Sequence, residues 1–242
     1  MLSKSVMCVL ALGMGTPSIA AWTARIWEVA RVASAPGPLV GANPNIARAG
    51  ALHDGVLAVT LEAKESAFLI DGPHRPPMRI AAFAEPGKAP LMPGPLIRAP
   101  RGTRIHLSIR NSLGTSLTFF VPAAVHGGPD RPAAEDSVVV PAGDVKTVTT
   151  NATVSGNYVY RATTASGASR RALMEGLLGG AIVIDTTSKS EPARDRVFVI
   201  MQTLDSAFTA YEDTAHAPIA LAPAEAGRVV FTINGRSWPN TD

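Results

Sequence analysis

The chain has 242 residues, 46% of them hydrophobic and 17% charged, with a mean hydropathy of +0.17. That balance supplies ample apolar surface for a core and excludes wholesale disorder. The net charge of +3, from 22 basic and 19 acidic residues, comes without a Lys/Arg run, so there is no cationic stripe for a phosphate backbone and nucleic acid is excluded as a partner. Twenty-one Gly and 20 Pro spread along the chain punctuate it too often for long helices and favour short strands.

Residues 1–20 read as a signal peptide. Lys4 gives a positive start, residues 5–15 are apolar, and Ser18 and Ala20 stand where signal peptidase reads small side chains. The apolar run is shorter than the ~20 residues that span a bilayer. Cleavage after Ala20 predicts a periplasmic or extracellular protein with no stable membrane anchor, and it removes Cys8, the only cysteine. The mature chain then has no disulfide, no thiolate metal ligand and no Cys nucleophile.

Residues 21–50 form a mixed opening segment punctuated by Pro and Gly. Period-two alternation then predicts strands over 55–63, 77–84, 103–110, 116–121, 135–141, 144–150, 156–162 and 179–185. Turn chemistry separates them at Pro93-Gly94-Pro95, at 111–114, at Gly127-Gly128-Pro129 and at Ala142-Gly143-Asp144. Only residues 169–178 have room for a helical turn. This density of strands predicts a β-sandwich or barrel over 51–186. A polar linker, 187–194, leads to two more strand candidates, 195–204 and 228–234. Two strands are marginal in water alone, so they must dock on the first domain, pair with a partner or fray. The linker is the expected site of limited proteolysis.

Several short motifs in order carry a family likeness. Pro93-Gly94-Pro95-Leu96-Ile97-Arg98, Gly102-Thr103 and Arg110-Asn111-Ser112-Leu113 resemble the opening of the first cupredoxin domain of multicopper oxidases. Val140-Pro141-Ala142-Gly143 resembles that family's Pro-Gly turn, and Gly156-Asn157-Tyr158-Val159-Tyr160 its Gly-Thr-Tyr-Trp-Tyr strand. Residues 176–184 resemble its closing strand. Residues 195–199 and Ile233-Asn234-Gly235-Arg236 resemble the start of its second domain. The resemblance implies an all-β, cupredoxin-like Greek-key β-sandwich, followed by the first strands of a second, incomplete cupredoxin-like domain. It also implies copper and oxidoreductase activity.

At the copper ligands the sequence departs from the family. The resemblance implies two His-X-His pairs, one on the strand after Leu117 and one after Tyr160, because alternate residues of a strand point the same way. Thr118 and Phe120 stand at the first pair and Arg161 and Thr163 at the second, and no His-X-His occurs in the chain. His126 is the one residual metal candidate, next to the lost first pair. His106 reads as an exposed mid-strand residue, and His53, His74 and His216 as surface loop residues. Blue-copper chemistry needs Cys, two His and a weak axial Met, which a mature chain without Cys cannot assemble.

Asp130, Glu135 and Asp136 beside Arg131 read as a solvated rim. Arg161 with Arg170 and Arg171 offers an anion pocket as a third class of function, and Asn151-Ala152-Thr153 matches a glycosylation acceptor. The leading expectation is an exported cupredoxin module without its copper ligands, acting as a structural or interaction domain with no cofactor and no catalytic residue of its own. The alternative is an amino-terminal part of a copper-dependent oxidoreductase whose copper sites lie in sequence beyond Asp242. Either way, strands 195–204 and 228–234 are expected to pair with a protein partner or with further carboxy-terminal domains.

Overall fold

The computed structural model describes residues 37–70, 77–122, 135–164, 178–186, 196–205 and 228–237. These residues are all strand and turn, with no helix among them.

The first sheet contains β1 (Gly41–Ala42), β2 (Ala51–His53), β3 (Val56–Phe68), β4 (Met78–Ala84), β5 (Leu91–Met92), β7 (Arg104–Asn111) and β10 (Val145–Asn151). Its order is β1-β5-β4-β3-β7-β10, with β2 alongside β3. The second contains β6 (Gly94–Pro100), β8 (Leu117–Pro122), β9 (Glu135–Val140), β11 (Gly156–Thr164) and β12 (Gly179–Asp185), in the order β6-β12-β11-β8-β9. Parallel pairs β3 with β7 and β6 with β12 stand beside antiparallel ones. Parallel neighbours cannot be joined by a tight hairpin. The chain therefore passes repeatedly from sheet to sheet, at β6 to β7, β7 to β8 and β9 to β10, as the Greek-key expectation requires.

Alternation decides which side chains meet between the sheets. Leu57, Val59, Leu61 and Ala63 of β3 and Ile105, Leu107 and Ile109 of β7 face Leu117, Phe119 and Val121 of β8, Tyr160 and Ala162 of β11, and Ile182 and Ile184 of β12. Phe83, Phe119 and Tyr160 form an aromatic centre with ring centroids 5.7–5.8 Å apart. Asn111, fully buried, donates from Nδ2 to the Thr115 and Val140 carbonyls at 2.8 and 2.9 Å and accepts the Leu113 N–H at 3.0 Å. One side chain thus satisfies the backbone of the β7–β8 turn that the sequence places at 111–114.

The expected turn at Pro93-Gly94-Pro95 is corrected. Gly94 and Pro95 begin β6, whose residues 94–97 are all buried. An edge strand tolerates proline because its lost N–H faces no partner. Glycine is required at 94 because a Cβ there would lie 2.5 Å from the Tyr160 hydroxyl, which donates to the Pro95 carbonyl at 2.8 Å. His53 is also corrected from a loop to the end of β2, where it is exposed. The helical turn expected at 169–178 lies outside the described residues, Leu178 excepted.

Part of the opening segment belongs to the sandwich. β1 runs parallel to β5, and Arg48 bridges to Leu96. A third sheet follows the linker, built of β13 (Ile200–Asp205), β14 (Arg228–Ile233) and β15 (Arg236–Ser237). The tail docks on the first domain. Val230 packs with Phe68, Ile70 and Met92, and Val197 and Val199 pack on Leu96, Ala181 and Val183. Asn234 and Gly235 turn the chain with φ of 50° and 81°. A Cβ on Gly235 would lie 2.1 Å from the Met92 carbonyl oxygen, so backbone meets backbone there and only glycine fits.

Candidate functional site

The four positions where the family resemblance implies imidazoles come together on the outer face of the second sheet. On β8 the odd residues face the core, which leaves Thr118 and Phe120 outside. On β11 Tyr160 and Ala162 face the core, which leaves Arg161 and Thr163 outside. Strand register then pairs Arg161 with Phe120 and Thr163 with Thr118. Paired residues on one face have Cβ atoms ~5 Å apart, so the four side chains form a two-by-two patch. The family resemblance marks the two halves of this patch, one on each strand, and the register joins them.

What occupies the patch is a cation over a ring. The Arg161 Cζ lies 4.4 Å from the centroid of the Phe120 ring, within cation–π range. Along the same row Phe120 pairs with Ser137 of β9 and Arg161 with Gly179 of β12. Along the next, Thr118 pairs with Val139, which is exposed. The patch therefore offers two threonine hydroxyls, a ring and a guanidinium. A guanidinium carries no lone pair for a metal and is always charged. A phenyl ring is no ligand, and neutral hydroxyls are weak ones beside imidazole or thiolate. Copper does not fit these four residues. Among the described residues no group of three or more His, Cys, Asp or Glu could hold a metal ion.

Directly behind the patch, Tyr160 is fully buried among Phe83 and Phe119, and burial pushes its phenol well above its ordinary value. Tyr160 is therefore a neutral hydrogen-bond donor to the Pro95 carbonyl. Its neighbour Tyr158 is raised as well, again by burial, and donates to the Val154 carbonyl at 3.1 Å.

The remaining candidates do not join the patch. His106 is exposed on β7, in the other sheet. His74, His126, His216, Asp130, Arg131, Arg170 and Arg171 lie outside the described residues. Glu135 and Asp136 lie on β9, where their backbone pairs with Pro122 and Val121. Sequence reasoning missed a polar relay under the third sheet. Asn43 donates to the Gly94 carbonyl at 3.0 Å and accepts the Asn45 N–H at 3.0 Å, and Asn45 donates to Asn234 Oδ1 at 2.9 Å. Asn43 and Asn45 lie in a segment with neither alternation nor a charged partner to single them out.

No protein-family model matches the chain, and no curated protein matches it. Among the solved structures that resemble it are three copper proteins. A multicopper oxidase from Campylobacter jejuni is 22% identical over 62% of this chain and 30% of its own, with a TM-score of 0.41. A copper nitrite reductase from Nitrosomonas europaea is 21% identical over 75% of this chain and 57% of its own, with a TM-score of 0.45. A multi-copper oxidase from Pseudomonas Thermotolerans is 20% identical over 75% and 42%, with a TM-score of 0.46. The chain thus spans between 30% and 57% of the length of these three proteins.

Proposed function

We propose that this chain is an exported, cupredoxin-like module of multicopper-oxidase type that has lost its copper ligands and serves as a structural or interaction domain without redox chemistry of its own. The observation that carries the reading is the Arg161–Phe120 pair. A guanidinium stacked on a ring fills two of the four positions where the resemblance implies imidazoles, and Thr118 and Thr163 fill the others. The ordered motifs from Pro93 to Arg236 support the relationship, and residues 1–20 support export.

A fixed positive charge in the patch would repel a cuprous or cupric ion, and nothing in the two-by-two arrangement would replace the missing nitrogen ligands. What the module retains is a two-sheet sandwich with a third, smaller sheet held on its flank, which suits it to presenting surfaces. The test is oxygen consumption by the purified chain with phenolic substrates and with ferrous or cuprous ions, with and without chelator. The reading requires no turnover above buffer. A chelator-sensitive oxygen uptake would contradict it.

A further inference from the structure

Among the described residues, methionine occurs at one place. Met78 of β4, Met92 of β5 and Met201 of β13 all belong to the cluster in which the third sheet docks on the sandwich, with Phe68, Ile70 and Val230. The larger core between the two sheets of the sandwich is built from Leu, Ile, Val, Ala, Phe and Tyr and contains no methionine.

Register places each of the three at the seam. Met78 pairs with Phe68 at the end of β3. Met92 is fully buried, with its backbone against Gly235 of the β14–β15 turn. Met201 pairs with Thr232, which is buried beside Val230 on the inner face of β14, and paired residues share a face. Val199, two residues earlier on that face, packs on the sandwich at Leu96, Ala181 and Val183. Met78 and Met201 are only partly buried, so their sulfurs are the ones a small solute reaches first.

Methionine fills irregular gaps of this kind, but it brings a chemistry that leucine does not. Residues 21–242 contain no cysteine, so the thioethers of Met78, Met92, Met174 and Met201 meet an oxidant with no thiol to compete. Met174 lies outside the described residues. On the exported reading above, the chain works in an oxidising compartment. A sulfoxide at the seam would be a new polar group against Phe68, Ile70 and Val230, whose side chains donate no hydrogen bond to its oxygen.

We propose that Met78 and Met201 make the docking of the third sheet sensitive to oxidation, so that a peroxide releases this sheet from the sandwich and reduction of the sulfoxide lets it return. In the step, the thioether sulfur attacks one peroxide oxygen, an S–O bond forms and the O–O bond breaks. The departing hydroxide takes the proton of the transferred oxygen and leaves as water. Sulfur loses two electrons and the peroxide gains them. The sandwich core has no described methionine and keeps its packing.

The test treats the full chain with hydrogen peroxide in metal-free buffer, maps the added oxygen by peptide mass and follows amide exchange. Protection across β13 and β14 is expected to fall about tenfold or more once Met78 or Met201 is oxidised, while β3 and β7 keep theirs. Methionine sulfoxide reductases for both epimers are expected to restore it. Met78→Leu with Met201→Leu conserves volume and is expected to keep its protection in the same peroxide. The proposal is overturned if Met78 and Met201 stay unoxidised where free methionine is oxidised, or if they are oxidised with protection unchanged. Equal loss in β3 and β7 also overturns it, as does a loss that persists after the sulfoxides are reduced. So does the same loss in the leucine variant, which would put the lesion at another residue. Reversal is read on the unaltered chain, so the test is decisive even if the leucine variant fails to fold.

Discussion

Asn234 accepts two hydrogen bonds at its Oδ1, from Asn45 Nδ2 and from the Val199 N–H, both at 2.9 Å, and donates from Nδ2 to the Val197 carbonyl at 3.0 Å. One amide therefore connects the opening segment, the chain before β13 and the β14–β15 turn. The Asn234 N–H completes the set by donating to the Val199 carbonyl at 3.0 Å. Asn234→Ala would leave the part-buried Val199 N–H, Val197 carbonyl and Asn45 amide without this partner, at about 1–3 kcal/mol. Amide exchange is the measurement. Protection across residues 196–205 and 228–237 should fall in the variant, while β3 and β7 in the sandwich core keep theirs. Equal loss in both regions would mean that the third sheet and the sandwich open as one unit.

Gly180 and Tyr160 should show coupled effects. A Cβ on Gly180 would lie 2.4 Å from the Tyr160 hydroxyl oxygen, and the fully buried ring between Phe83 and Phe119 cannot swing away. Gly180→Ala should cost about 1–3 kcal/mol through overpacking. Tyr160→Phe alone should cost about 1–3 kcal/mol by orphaning the Pro95 carbonyl. The double variant relieves the contact with the oxygen but keeps those of 2.6 and 2.8 Å with the ring carbons Cζ and Cε1, so denaturant midpoints should give only somewhat less than the sum of the two.

The cross-strand register of the patch can be tested by filling it. Phe120→His with Arg161→His sets two imidazoles on directly paired positions, ~5 Å apart at Cβ, close enough to chelate one ion. The double variant should gain thermal stability when Cu²⁺ or Ni²⁺ is added, by an amount that grows with metal concentration. The parent chain and each single variant should not. A register shifted by one residue would put the imidazoles on opposite faces and abolish the gain.

Glu85 predicts a small acid-sensitive contribution. Its partial burial would raise the carboxyl, but hydrogen bonds from Lys88 and from the Gly50 N–H, together with the Lys88 charge, hold it below its ordinary value of 4.5. A lowered folded-state value means stability that is present at neutral pH and lost as pH falls through that value. The Lys88 partner is exposed, so the contribution should be less than about 1 kcal/mol. Glu85→Gln should flatten the stability profile between pH values just above and just below 4.5, as read by denaturant titration.

The strands of the sandwich were legible where one face meets the core and the other meets water. β7, with Ile105, Leu107 and Ile109 in and Arg104, His106 and Arg110 out, is the plainest case. β6 was not legible, because residues 94–97 are buried on every side and Pro95 reads as a turn residue unless the Tyr160 hydroxyl beneath it is known. The two strand halves of the patch followed from the family resemblance, with alternation putting each pair on one face, but the Phe120–Arg161 stacking depends on long-range register, which neither fixes. The docking of the third sheet was equally hidden. It rests on the contacts of Val230, Val197 and Val199 and on the Asn45–Asn234 bond, all between residues far apart in sequence.

Copper content tests the central claim most directly. The chain is loaded with excess cupric or cuprous ion, dialysed exhaustively against metal-free buffer and measured by atomic emission. With Thr118, Phe120, Arg161 and Thr163 in the patch, copper should stay far below one ion per chain and match an Arg161→Ala, Phe120→Ala control. One or more equivalents of copper retained by the unaltered chain, with the signal of a bound cupric ion in electron paramagnetic resonance, would contradict the claim that these residues have replaced a metal site.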